Sequence, residues 1–247
     1  HNREMCVSSV IYIFFFLNKN FKISQLNERF FGAFYHAKIA PVYDPDNGNF
    51  FKYDAETGLW QRQESATVLS EVHRVIKDAP GSSEDVLRLC GSAQIKRIID
   101  FAKADCSCPD FFETATRKFI HCSNGVLEYS QDFRKWELQP FASSYRSRNR
   151  TELAYKPDSS CCRFLNELVC PAMDREDVEI LQLYFGQCLI GYNSSQKFLL
   201  ITGTPGAGKS TLANIIEQVV NRKNCTELRL EHIDERFEIN RLIGKTL

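Results

Sequence analysis

No stretch of this chain is apolar for long enough to cross a bilayer. The one long apolar run, Val7 to Leu17 (VSSVIYIFFFL), falls well short of the roughly 20 residues a spanning helix needs, so no membrane partner is expected. It is no signal peptide either. Arg3 precedes it, but Asn18-Lys-Asn20 makes a poor cleavage site. It reads instead as a buried strand, or a strand leading into the next helix. Net charge is also missing, with 31 basic against 31 acidic residues. That excludes a global basic field for nucleic acid, so any DNA contact must come from local patches or from assembly. Ten cysteines are scattered without a regular framework, which argues against a disulfide scaffold. Internal repeats and low-complexity tracts are absent. Hydrophobic residues (43%) and charged residues (25%) are ordinary for a globular protein, and 247 residues suffice for one large or two to three small domains. The chain starts at His1 and stops at Leu247 in mid-pattern, which predicts a piece of a longer polypeptide.

Against those absences stands one complete motif. Gly203-Thr-Pro-Gly-Ala-Gly-Lys-Ser210 matches the phosphate-binding loop G-x-x-x-x-G-K-[ST] without a gap. Lys197 to Thr202 (KFLLIT) reads as a buried strand entering it, and Thr211 to Asn221 as the helix leaving it. The chemistry needs that order. Backbone N–H groups must wrap a phosphate chain, which bulky side chains would block. The helix then points the positive end of its dipole at the anion. Lys209 is placed to reach the β- and γ-phosphates and is the expected catalytic residue. The Ser210 hydroxyl is placed to ligate Mg²⁺. ATP with Mg²⁺ is the expected ligand. Such a protein belongs in the cytoplasm, where the cysteines stay reduced.

Upstream, Ile23 to Tyr35 has helical spacing with Ser24 as a possible N-cap. Ala40 to Asn47 is turn-rich. Phe50 to Arg62 reads as a hairpin turning at Ala55 to Gly58. Thr67 to Asp78 reads as a helix stopped by Ala79-Pro-Gly81. Ser83 is read as the cap of a longer helix to Lys103, with an apolar stripe of Val86, Leu89, Ala93, Ile98 and Phe101. Asn124-Gly125 between Phe119–Cys122 and Val126–Tyr129 signals a second hairpin. Tyr145 to Arg150 reads as a basic linker or exposed loop. Cys162 to Val169 and Asp174 to Leu189 read as helices, Leu228 to Ile233 as a strand and Glu235 to Leu242 as a short helix. The expected class is α/β: a mixed α+β and helical N-terminal region, then the truncated start of a P-loop, AAA+-like NTPase domain. The expected divisions are residues 1–80, 81–192 and 193–247.

Four ordered segments carry a family resemblance. His121 to Glu128 (HCSNGVLE) looks like the "NGVL" hairpin of phage and plasmid primase-helicases. Tyr155 to Leu165 looks like their "Y-x-P" segment. Leu181 to Gly191 is similar to the helix before their phosphate loop, and Phe237 to Leu247 to their "F-x(4)-L-x-G-K-x-L" run. The chain thus resembles the C-terminal module of phage and plasmid DNA primases, akin to the poxvirus primase-helicase, within the superfamily 3 helicases. The resemblance covers roughly Asn49 to Leu247, weakly before about 118. It implies an ATP-dependent DNA helicase, a hydrolase of DNA replication. In the intact protein this would be a homo-hexamer translocating on single-stranded or forked DNA. By position it assigns nucleotide binding to Gly203, Thr204, Pro205, Gly206, Ala207, Gly208, Lys209, Ser210 and Thr211. The acidic second motif, the sensor and the arginine finger would follow Leu247, so the enzyme is incomplete here.

Two other classes stay open. Another P-loop enzyme, such as a small-molecule kinase, would need no long preceding region. A non-catalytic DNA-binding or assembly module would need no second motif. Cys106 and Cys108 with His121 and Cys122 fit no regular zinc spacing and read as thiols. Arg134, Lys135, Arg146, Arg148 and Arg150 are possible phosphate contacts, more simply a solvated loop. Trp60 and Trp136 are possible base-stacking residues, more simply packed against the hairpins. Glu231 and Asp234 do not end an apolar strand, so they are not taken as the second-motif acids, nor is Lys245 taken as catalytic.

Overall fold

The computed structural model describes residues 13–20, 22–113, 119–130, 132, 134–191 and 196–227. It is a mixed α/β structure with small sheets and several helices. The backbone divides into two units, His1–Asp54 with Trp60–Glu113, and Ala55–Leu59 with Thr114–Leu247.

The first unit opens with strands β1 (Phe15–Leu17) and β2 (Ile23–Leu26), paired antiparallel. β2 occupies the start of the expected helix, so Ser24 is no cap; its hydroxyl donates to Phe16 O at 3.2 Å. The cap is Asn27, whose side chain accepts from Phe30 N and donates to Ile13 O. Helix α1 (Glu28–Ile39) then buries Phe31, Gly32 and Tyr35. Strands β3 (Val42–Asp44), β4 (Asn49–Asp54) and β5 (Leu59–Gln63) follow in that sheet order, and the expected β4–β5 hairpin is present. Its Trp60 is buried edge-on against Phe111 at 4.9 Å, the packing role expected of it.

Helix α2 (Ser65–Lys77) ends where Ala79-Pro80 predicts. Ser83 does cap a helix, but only the short α3 (Glu84–Arg88). The chain breaks at Leu89–Gly91 and restarts as α4 (Ser92–Cys106), with Gly91 at its N-cap. The break shifts the helical phase. The buried stripe of α4 is therefore Ile95, Ile98, Ala102 and Cys106, while Ala93 and Phe101 of the expected stripe are exposed. Inside this unit Tyr35 donates to the Glu71 carboxylate at 3.0 Å, and Lys52 pairs with it at 2.9 Å. Burial first, then the Glu71 charge, holds the Tyr35 phenol far above its ordinary pKa.

α1 and α4 touch at Gly32. A Cβ there would lie 2.7 Å from Phe101 Cβ and 3.0 Å from Ala102 N. Gly32→Val is expected to destabilise this unit by about 1–3 kcal/mol, because extra methyls in a packed crossing force the backbones apart. Urea unfolding followed by helix signal checks this; an unchanged midpoint would refute the close crossing.

In the second unit β6 (Phe119–Cys122), β7 (Gly125–Ser130) and β8 (Lys135–Gln139) form an antiparallel meander. The register pairs Cys122 with Gly125, so the turn residues are Ser123 and Asn124. Asn124 is needed for its side chain, which accepts from Tyr155 N at 2.9 Å and donates to Tyr155 O at 3.0 Å. Gly125 has φ +153, and a Cβ would meet Gln139 O at 2.6 Å.

Residues 145–150 are not an exposed linker. Tyr145, Ser147 and Thr151 are buried, and Tyr145 donates to Glu128 at 2.9 Å. The next segment is a π-helical turn, Phe164–Val169, then α5 (Arg175–Ile190), closed by Gly191 at φ +73, and α6 (Lys209–Val220).

The expected strand over 197–202 does not pair among the described residues. Leu199 and Ile201 pack against Val169, Leu181 and Leu212. Phe198 and Leu200 are 84% and 75% exposed. The two-residue alternation of a strand is there, without a ladder partner that would bury its other face. Leu228–Ile233, Glu235–Leu242, Glu231, Asp234, Lys245 and the Phe237–Leu247 run lie outside the described residues.

Candidate nucleotide-binding site

The phosphate-loop sequence folds as a turn that delivers the chain into the first residue of α6. Gly203, Gly206 and Gly208 take φ of +156, +82 and +83, a region that favours glycine. A Cβ at Gly206 or Gly208 would meet nothing within 4 Å, so the loop encloses open space. Ala207 N closes the turn on Thr204 O at 3.3 Å.

Gly208 is the N-cap of α6 and supplies no side-chain acceptor. The first N–H groups of a helix have no intrahelical partner, so this end is left to accept an anion. Lys209 reaches back across the loop, and its ammonium donates to Gly203 O at 2.9 Å and Thr204 O at 2.8 Å. A cation is thus held over the same turn, with Ser210 and Thr211 exposed at the helix start. Helix-end donors and a cation thus share one turn, and such a donor set suits a phosphate chain.

The far end of α6 is fastened as well. Thr151 donates to Val219 O. Asn221 and Asn224 side chains donate to Arg150 O at 3.3 and 3.0 Å. Thr151 N donates to His121 O at 2.9 Å. Arg150 Nη1 and His121 Nε2 both approach Thr57 O, at 3.1 and 3.2 Å. Sequence reading missed this lock. Nothing in a threonine or two asparagines outside a motif marks them, and only the fold brings them together.

A family model described as D5 N-terminal-like matches residues 28–170, more than half of the chain. The chain belongs to the D5 N-terminal-like family. This is the N-terminal domain of the D5-like primase-helicases, and it places the chain with the primase-helicases of phages and viruses. No curated protein matches the chain. The D5 N-terminal-like region begins before Asn49, where the sequence resemblance starts. It ends at 170, ahead of the phosphate loop. Arg150 and Thr151, which hold the end of α6, lie within the D5 N-terminal-like region.

Among the other predicted residues, Arg150 is withdrawn from the DNA candidates because its guanidinium is committed to Thr57 O and Glu152. Lys135 pairs with Glu137 at 2.8 Å. Arg134 and Arg146 are exposed. Trp136 is partly exposed and meets Tyr129 edge-on at 5.4 Å. Burial pushes the Cys106 thiol up to about 12, with Asp105 adding to the shift, and burial also raises Cys122. Among the described residues no three His, Cys, Asp or Glu side chains gather in a way that could hold a metal. Among those residues, too, no helix is long and apolar enough to cross a membrane.

Proposed function

We propose that this chain is the ATP-binding part of a replicative DNA helicase-primase of a phage, plasmid or virus, of the superfamily 3 type. The observation that carries the reading is an uncapped helix start at Gly208–Lys209 on a glycine loop, in a chain whose preceding region is D5 N-terminal-like. Residues Gly203 to Thr211 would hold the triphosphate, with Lys209 on its terminal phosphates and Ser210 on Mg²⁺. Mg²⁺ would neutralise charge on the β- and γ-phosphates. The chain's own part is to bind and orient them. Cleavage would need an acidic second motif and a neighbouring ring subunit in addition to these residues.

The test is an Mg-ATP titration of this chain, joined to ATP turnover with and without single-stranded DNA in a chain extended past Leu247. Saturable ATP binding, with turnover raised at least tenfold by DNA, is expected. ATP binding without any response to DNA would favour another P-loop enzyme such as a kinase. Failure to bind ATP would leave a non-catalytic assembly module.

A further inference from the structure

The far side of α6 carries a chemistry that the phosphate loop does not use. Cys188, near the end of α5, is buried in an apolar cluster with Ile216 and Val220. Cys225, just beyond α6, packs against the same cluster together with Tyr184, Phe185 and Leu189. Both cysteines thus belong to one packed apolar cluster. Burial first, and then the Cys225 charge, lift the Cys188 thiol to about 11.

Cys225 also has a second environment. It lines an open cleft of about 330 Å³ with Asn214, Glu217, Arg222, Thr226 and Glu227. One cysteine is therefore shielded, while the other borders solvent in a cleft that also holds Arg222, 3.8 Å from Glu217, and Glu227. A reactive and a resolving cysteine need that division, since reaction with a peroxide needs access to solvent.

We propose that Cys188 and Cys225 form a redox modification site, oxidised by a peroxide to an intramolecular disulfide. The Cys225 sulfur attacks one peroxide oxygen, the O–O bond breaks, and water leaves, giving the sulfenic acid. The Cys188 sulfur then attacks the Cys225 sulfur, the S–O bond breaks, and a second water leaves. Two thiols and one hydrogen peroxide become one disulfide and two waters. The sulfurs are oxidised and the peroxide is reduced. The closed loop contains the entire phosphate loop and α6. Oxidation would thus tie α5 to the chain beyond α6, and a thiol reductant would release it. This site does not depend on what the phosphate loop binds.

The experiment treats the whole chain with a stoichiometric amount of hydrogen peroxide, blocks remaining thiols with an alkylating reagent, and maps the peptides by mass. The expected product is lighter by two hydrogens, joins the Cys188 and Cys225 peptides, and reverts with dithiothreitol. Cys225→Ser, at a half-buried position, should abolish that product while leaving the circular dichroism of the chain unchanged. Cys188→Ala is the second variant. The proposal is overturned if the folded wild-type chain cross-links elsewhere, for instance among the exposed Cys161, Cys162 and Cys170. It is equally overturned if Cys225 stops at a sulfur acid, or if neither thiol reacts.

Discussion

Lys209→Ala is expected to weaken Mg-ATP binding on the order of 100-fold, because a charge-assisted contact to phosphate is worth about 2–3 kcal/mol. In the free protein the ammonium is shared between Gly203 O and Thr204 O. Binding would exchange two neutral carbonyl acceptors for charged phosphate oxygens, and the predicted loss follows from that exchange. Alanine at the first helical position keeps the best helix propensity, so α6 should persist. The buried face of α6, Leu212, Ile216 and Val220, is untouched. Titration with a fluorescent ATP analogue, alongside a thermal melt, separates loss of binding from loss of fold. Affinity within twofold of wild type would remove the loop from the nucleotide-binding reading.

The second large effect is acid sensitivity set by His121. Its ring is 5% exposed and stacks on Phe141 at 5.1 Å. Nε2–H donates to Thr57 O, which leaves Nδ1 buried without an acceptor for a second proton. Burial lowers the pKa to about 4 from the ordinary 6.5; the Thr57 carbonyl opposes this and the Arg150 charge adds to it. Above pH 6.5 the imidazole is neutral both folded and unfolded, so its contribution is complete there. Between pH 6.5 and 4 the unfolded chain takes up a proton that the folded chain refuses. Stability therefore falls as the pH falls through that window, by about 3 kcal/mol in all. Urea midpoints of the second unit at pH 7 and pH 4.5 should separate, and His121→Gln should remove most of the difference. An equal pH response in the variant would assign the effect to carboxylates instead.

Local rules carried the sequence reading furthest where the residues decide structure by themselves. The glycine turn into α6, the β4–β5 hairpin and the end of α2 are set by glycines, prolines and alternation within a few residues, and each formed at its place. Errors arose where tertiary partners compete with local preference. Ile23–Leu26 has helical spacing, yet its backbone groups pair with β1, and Asn27 then becomes the better cap. Gly91 alone was too weak a signal for the break between α3 and α4. Residues 145–150 look solvated because they are basic and polar. Their burial depends on Glu128, Thr57 and the far end of α6, none of which is near in sequence. The glycine turn before α6 was therefore legible in the sequence, while the side chains that brace its helix were not.

That bracing also sets an order of events during synthesis. The Arg150–Thr57 bond spans 93 residues, the His121–Thr57 contact 64 and the Asn224–Arg150 bond 74. Closing loops of such length is entropically costly and slow compared with forming a helix. On the ribosome, His121 and Arg150 can settle on the 55–59 turn only after residue 150 has emerged, and the last bond that fastens α6 waits for Asn224. Until then α6 is held by Thr151 and by the packing of Leu212, Ile216 and Val220 on earlier residues, without its full clamp on Arg150. The second unit thus commits late, and nascent chains halted before Val219, whose carbonyl takes the Thr151 bond, would be the ones that most need a chaperone.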